Sequence, residues 1–148
     1  MAGYSGTPLP KKLGIAEGCT VALVGAPGGV GRAPSGVLGP LPGSVTVKHQ
    51  ARGRADVVVA FFTERRAFER RVEALGRMVF PDGGLWVAWP KRAAKVPTTM
   101  TEDVVREVAL PLGLVDNKVC AIDETWTGLR LVWRRELRRR ELRRGASG

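Results

Sequence analysis

Asp82-Gly-Gly-Leu-Trp-Val-Ala-Trp-Pro-Lys91 joins a Gly-Gly turn to an apolar run that stops at a proline beside a cation. From Leu85 to Trp89 the apolar residues stand at consecutive positions, not alternate ones. A strand with one wet face alternates, whereas a strand covered on both faces does not need to. The run therefore reads as a strand of a sheet packed between two layers. In open α/β sheets ligands meet the carboxyl ends of the strands. Trp89, Pro90 and Lys91 are thereby placed on the edge where any chemistry would sit.

Outward from this strand the chain alternates between two periods. Asp56-Val-Val-Val-Ala-Phe-Phe62 is a β-branched and aromatic run after a charged start, and it reads as a second strong strand. Between the two, Phe68, Val72, Leu75 and Val79 recur at helical spacing, with Thr63 as the expected N-cap. Upstream, Leu9 to Ile15 allows one or two helical turns, Val21–Val24 a short buried strand and Val45–Val47 a weaker one. Downstream, Thr99 and Glu102 have capping-box spacing and open a helix carrying Val104, Val105, Val108 and Leu112, with Gly113 as C-cap. Lys118–Ile122 and Leu129–Trp133 flank a connection short enough only for an antiparallel hairpin. The fold class expected is α/β: one mainly parallel sheet of about six strands, with an antiparallel hairpin at its C-terminal edge, in a three-layer arrangement.

The chain has 148 residues, enough for one domain with a sizeable core, and its apolar fraction of 44% is that of a soluble globular protein. No apolar signal core opens it and no stretch is long and apolar enough to span a membrane, so the cytoplasm is the expected compartment. Two cysteines, Cys19 and Cys120, make neither a zinc pattern nor a disulfide framework; Cys120 reads as a small core residue. The net charge of +10 is uneven: seven arginines in Arg134–Arg144 stand against Glu136 and Glu141. Residues 1–133 read as the α/β domain and 134–148 as an arginine-rich extension, a charged continuation of the last strand that is helical at most in part. Arg134, Arg135, Arg138, Arg139, Arg140, Arg143 and Arg144 could neutralise phosphates of non-specific RNA or DNA. The segment has no aromatic residue to stack on a base.

The Gly-Gly-preceded strand, the helix after it and the closing hairpin resemble the C-terminal half of class I S-adenosylmethionine-dependent methyltransferases. The opening Met1-Ala-Gly-Tyr-Ser-Gly-Thr-Pro-Leu9, Ala55-Asp-Val-Val-Val-Ala-Phe61, Gly83–Arg92 and Thr101–Ala121 also resemble a small family of actinobacterial proteins with no assigned activity. The methyltransferase resemblance implies a reduced Rossmann-like sheet and a cofactor loop after the first strand.

That loop, Gly25-Ala-Pro-Gly-Gly-Val-Gly31, departs from the cofactor patterns. Read from Gly29, the third glycine of Gly-x-Gly-x-x-Gly is replaced by Pro34, and no Gly-Lys-Ser/Thr follows. Phosphate loops work because a helix starts at once and aims free N–H groups at the anion. Between Gly25 and Ser44 seven of twenty residues are glycine and four are proline, which suits a flexible connection better than a helix. The resemblance also implies an acidic residue after the second strand to hold ribose hydroxyls, and this strand runs instead into Lys48, His49 and Gln50. The expectation is therefore no cofactor, with S-adenosylmethionine the alternative.

The carboxyl ends then gather Gly25, Pro27, Trp89, Pro90 and Lys91, and the hairpin turn returns Asp123, Glu124 and Trp126 to the same rim. Two indole walls and a few charged handles suit a small polar ligand. Each member has a plainer use: the indoles can cap the core, and Lys91 can pair with Asp123 or Glu124. With one histidine and no strained nucleophile elbow, neither a catalytic set nor a metal cluster assembles. The expected function is non-catalytic binding of a small polar ligand or protein partner at this rim. The alternatives are nucleic-acid association through the arginine segment, a methyltransferase-like enzyme, and an enzyme using Lys91 with Asp123 or Glu124. A homodimer through an exposed sheet edge stays open.

Overall fold

The structure, a computed structural model, describes residues 7–26 and 41–138. Its elements are α1 (Leu9–Lys12), β1 (Thr20–Val24), β2 (Thr46–Lys48), β3 (Val57–Phe61), α2 (Arg65–Met78), β4 (Gly84–Pro90), α3 (Glu102–Ala109), β5 (Leu114–Ala121) and β6 (Trp126–Trp133). One six-stranded sheet runs in the order β2-β1-β3-β4-β6-β5. β2, β1, β3 and β4 are parallel; β6 runs antiparallel to β4 and pairs with β5 as a hairpin. The mixed α/β sheet expected from the sequence is the sheet observed.

Both faces of the sheet are covered, which is why β3 and β4 are buried at every position. On one face Phe68, Val72 and Leu75 of α2 and Val105 and Ala109 of α3 pack on Val58, Ala60, Leu85, Val87 and Leu131. On the other, Leu13 and Ile15 after α1 cover Val21, Leu23, Val59, Trp86 and Ala88. Trp86 is fully buried, and its indole N–H donates to the Leu13 carbonyl at 3.0 Å. A buried indole N–H without a partner would cost about 1–3 kcal/mol, so this bond ties the N-terminal segment to the central strand.

The helix ends differ from the sequence reading in an instructive way. Thr63 is not the cap of α2; Glu64 occupies that position without a side-chain bond. Thr99 supplies the cap from a distance, its hydroxyl accepting from the Arg65 N–H at 2.7 Å. For α3 the cap is Thr101, which accepts from the Val104 N–H, and not Thr99. Two threonines two residues apart both fit a capping pattern, and the one left over serves a neighbouring helix. Gly113 does end the α3 region, in the left-handed conformation at φ 97° after a turn of 3-10 helix. The closing strands are longer than the hydropathy suggests, and residues 135–138 form a helical turn rather than a strand extension. Leu137 of that turn lies against Gly113. Residues 139–148, which include Arg139, Arg140, Arg143 and Arg144, lie outside the described residues.

Candidate functional site

β1 is flanked by β2 on one side and β3 on the other, and β3 leads away to β4. The chain thus changes direction across the sheet between β1 and β3, the place where the loops leaving two adjacent strands diverge and open a crevice. Gly25 leaves β1 there with φ 68°. A Cβ at this position would lie 3.1 Å from the Phe61 carbonyl oxygen at the end of β3. The positive φ favours glycine, and the close approach leaves little room for a Cβ. Gly25 itself is exposed at this point, where a ligand laid across β1 and β3 would pass. Pro27, Gly28 and Gly29 lie outside the described residues.

β2 ends differently. Lys48 donates from Nζ to the carbonyls of Arg52 at 2.6 Å and Arg54 at 2.8 Å, bracing the loop that leads to β3. His49 and Gln50 follow, both exposed. No carboxylate follows β2 directly; the one acid of that loop, Asp56, stands just before β3 and accepts from the Thr20 N–H.

At the end of β4 lies a cavity of about 740 Å³. Trp89 and Met100, both buried, form its apolar wall, and Thr98, Thr101 and Thr127 bring hydroxyls to it. Lys91, Arg92 and Lys95 contribute three cations, with Lys95 in the left-handed conformation at φ 56°. Among the described residues Glu102 is the one acid on this wall, and Arg106 binds it. Arg106 also contacts Asp116 at 3.2 Å, and its pKa is raised, first by the bond to Glu102 and then by that to Asp116. The field in the cavity is therefore net positive. The segment framing it is fastened to the connection between β3 and α2: Thr99 N–H and the Thr98 hydroxyl both donate to the Thr63 carbonyl, at 3.0 and 2.6 Å.

The residues singled out in the sequence are only partly brought together. Trp89, Pro90 and Lys91 do meet at one end, and Trp126 pairs with Pro90 across the β4–β6 ladder. The two indoles nevertheless point to opposite faces. Trp89 belongs to the core under α2 and α3, whereas Trp126 packs edge-on against Phe61 with ring centroids 5.1 Å apart. They do not wall one pocket. Asp123 accepts at Oδ1 from the N–H groups of Thr125 at 2.8 Å and Trp126 at 2.7 Å. Its carboxylate builds the hairpin turn. Glu124 is exposed, and neither acid lines the cavity that holds Lys91. Among the described residues no ion pair joins Lys91 to either; its backbone N–H donates instead to the Thr125 carbonyl at 2.7 Å. Sequence reasoning missed Arg92, Lys95 and the three threonines. The basic spacing directly after a strand end was the signal that could have found them.

Of the arginine segment, Arg134 and Arg135 are exposed, and Arg138 lies 3.7 Å from Asp82. Among the described residues no helix is long and apolar enough to cross a membrane, and no group of three or more His, Cys, Asp or Glu side chains could hold a metal ion.

No family model matches the chain, and no curated protein matches it. Solved structures do. Magnesium protoporphyrin IX methyltransferase from Synechocystis PCC 6803 with bound SAH has a TM-score of 0.55 at 15% identity, over 80% of this chain and 75% of that one. A SAM-dependent methyltransferase from Aquifex aeolicus has 0.55 at 19% identity, over 82% and 85%. Ribosomal protein L11 methylase from Lactobacillus delbrueckii subsp. bulgaricus has 0.52 at 11% identity, over 84% and 74%. The expectation of no cofactor is corrected here: the similar structures include methyltransferases solved with SAH and with SAM bound. At these identities the likeness is one of fold, and that fold is the methyltransferase-like Rossmann sheet.

Proposed function

We propose that this domain binds S-adenosylmethionine across the carboxyl ends of β1 and β3 and presents its methyl group to an acceptor held in the cavity at the end of β4. The observation that supports this most is the Gly25 turn, with its positive φ and its closeness to the Phe61 carbonyl at the point where β1 and β3 part. A fold shared with SAM-bound enzymes adds to it. The fit is good at the glycine turn. After β2, the polar side chains available to ribose hydroxyls are His49 and Gln50, in place of a carboxylate. When bound, the cofactor supplies an electrophilic methyl group to a nucleophile aligned with it.

The chain's own residues hold and orient. Gly25 allows close approach of the ligand to the backbone. Lys91, Arg92 and Lys95 draw in an acceptor bearing negative charge, Thr101 and Thr127 offer hydroxyls to orient it, and Trp89 and Met100 supply an apolar wall that excludes water. Correct placement of two reactants is itself a large part of catalysis. The resemblance to an actinobacterial family remains an expectation from the sequence beside this reading.

Isothermal titration with S-adenosylmethionine tests the proposal. The expected result is saturable binding with Kd in the micromolar range, on the order of −8 kcal/mol, weakened at least about tenfold in Gly25→Val. A wild-type chain that shows no heat of binding at millimolar cofactor would overturn it.

A further inference from the structure

At the opposite end of the sheet, where β1, β3 and β4 begin, lies a second cavity of about 440 Å³. It touches nothing in the proposed methyl-transfer site. Two arginines line it, Arg54 from the loop before β3 and Arg130 from β6.

Arg130 stands opposite Trp86 in the β4–β6 ladder, on the face that carries α1. Its guanidinium lies over Gly84, so closely that a Cβ there would come within 2.8 Å of Cζ. The missing side chain makes room for the cation. Among the described residues no carboxylate pairs with it. The two acids lining the same cavity are engaged elsewhere: Asp56 accepts at Oδ2 from the Thr20 N–H at 2.8 Å, and Asp82 lies beside Arg138. Burial alone pushes the Arg130 pKa down, with no opposing charge to raise it. A half-buried guanidinium without a counter-ion is costly.

Arg54 is fixed in place. Its carbonyl accepts from Lys48 Nζ, and its own Nη2 donates to the Phe80 carbonyl at 2.8 Å. Among the described residues the other N–H groups of this planar fork have no hydrogen-bond partner, and the residue lines the cavity. Two guanidiniums with donors to spare match the oxygens of a carboxylate or phosphate, which they can grip bidentately. The Thr20 hydroxyl, at the same wall, suits a polar body attached to such a group.

We infer that this cavity is a binding site for a small oxyanion, carboxylate or phosphate, gripped between Arg54 and Arg130. It is separate from the cofactor edge and does not depend on the methyl-transfer reading.

Titrations of the full chain with inorganic phosphate and with acetate, at ionic strength held constant with sodium chloride and followed by amide chemical shifts of Thr20, Gly83 and Gly84, test it. Saturable binding of either probe below about 50 mM is expected, a limit near −2 kcal/mol. The probe that saturates identifies the head group. Arg130→Gln should weaken binding about tenfold, and Arg54→Gln severalfold, with S-adenosylmethionine titrations unchanged in both. Should Arg130→Gln fail to fold, the exposed Arg54→Gln decides. No saturation by either probe, or wild-type affinity in the folded Arg130→Gln protein, or in Arg54→Gln where that variant must decide, overturns the proposal.

Discussion

Gly25 and the Gly83-Gly84 pair sit at opposite ends of the same sheet, and they differ in how tightly the protein closes on them. At Gly83 and Gly84 the protein fills the gap itself. A Cβ on Gly83 would lie 2.6 Å from the Asp56 carbonyl and 2.9 Å from that of Val79, and one on Gly84 would meet the Arg130 guanidinium. At Gly25 the close neighbours among the described residues are backbone atoms of Phe61, at 3.1 and 4.0 Å, a looser approach, and the residue is exposed. Glycine can serve packing or ligand access, and the surroundings say which. The conspicuous Gly-Gly pair makes room for the protein's own groups, Gly84 for the Arg130 guanidinium; the single glycine after β1 is the candidate for cofactor contact.

Substitutions grade this contrast. Gly83→Ala should be the most damaging, because the obstructing atoms are backbone carbonyls on two sides that cannot move aside. A loss on the order of 2–3 kcal/mol is expected, measured by urea unfolding; a loss under about 0.5 kcal/mol would mean that the turn is loosely packed. Gly25→Ala comes next. A non-glycine residue in the left-handed region costs roughly 1–2 kcal/mol, and cofactor affinity should fall with it, so calorimetry and unfolding together separate the two effects. Gly84→Ala should be the mildest for stability, below about 1 kcal/mol, since the far end of Arg130 can swing away. Its effect should appear instead as loss of phosphate or acetate binding, with cofactor binding intact.

The central part of the fold was legible. β3, α2 and β4 announce themselves because a sheet buried on both faces needs continuous apolar runs, and its crossover helix needs one apolar stripe. What was not legible came from partners distant in sequence. Thr99 caps α2 from 34 residues away, so no local pattern at Thr63 or Glu64 could show it. The rim was located correctly as an edge but read as one pocket. Trp89 and Trp126 face opposite ways because β6 begins at Trp126 and pairs it with Pro90, which fixes the parity of every side chain on the strand. With the strand taken to start at Leu129, that parity could not be read. Asp123 looked like a handle for a ligand, yet an aspartate at the start of a tight turn is drawn to the backbone N–H groups after it. Gly25–Ser44 carries two opposed signals for a cofactor, its composition and one residue. The composition argued against a helix, while the geometry of Gly25 alone carries the close approach.

The most direct test is an amide chemical-shift map of the ¹⁵N-labelled chain titrated with S-adenosylmethionine. Shifts concentrated at Gly25, Ala26 and Phe61–Thr63, with Gly83 and Gly84 unmoved, are the expected result. Shifts confined to the Gly83-Gly84 end, or none at saturating cofactor, would contradict the assignment of the two glycine turns and of the site built on them.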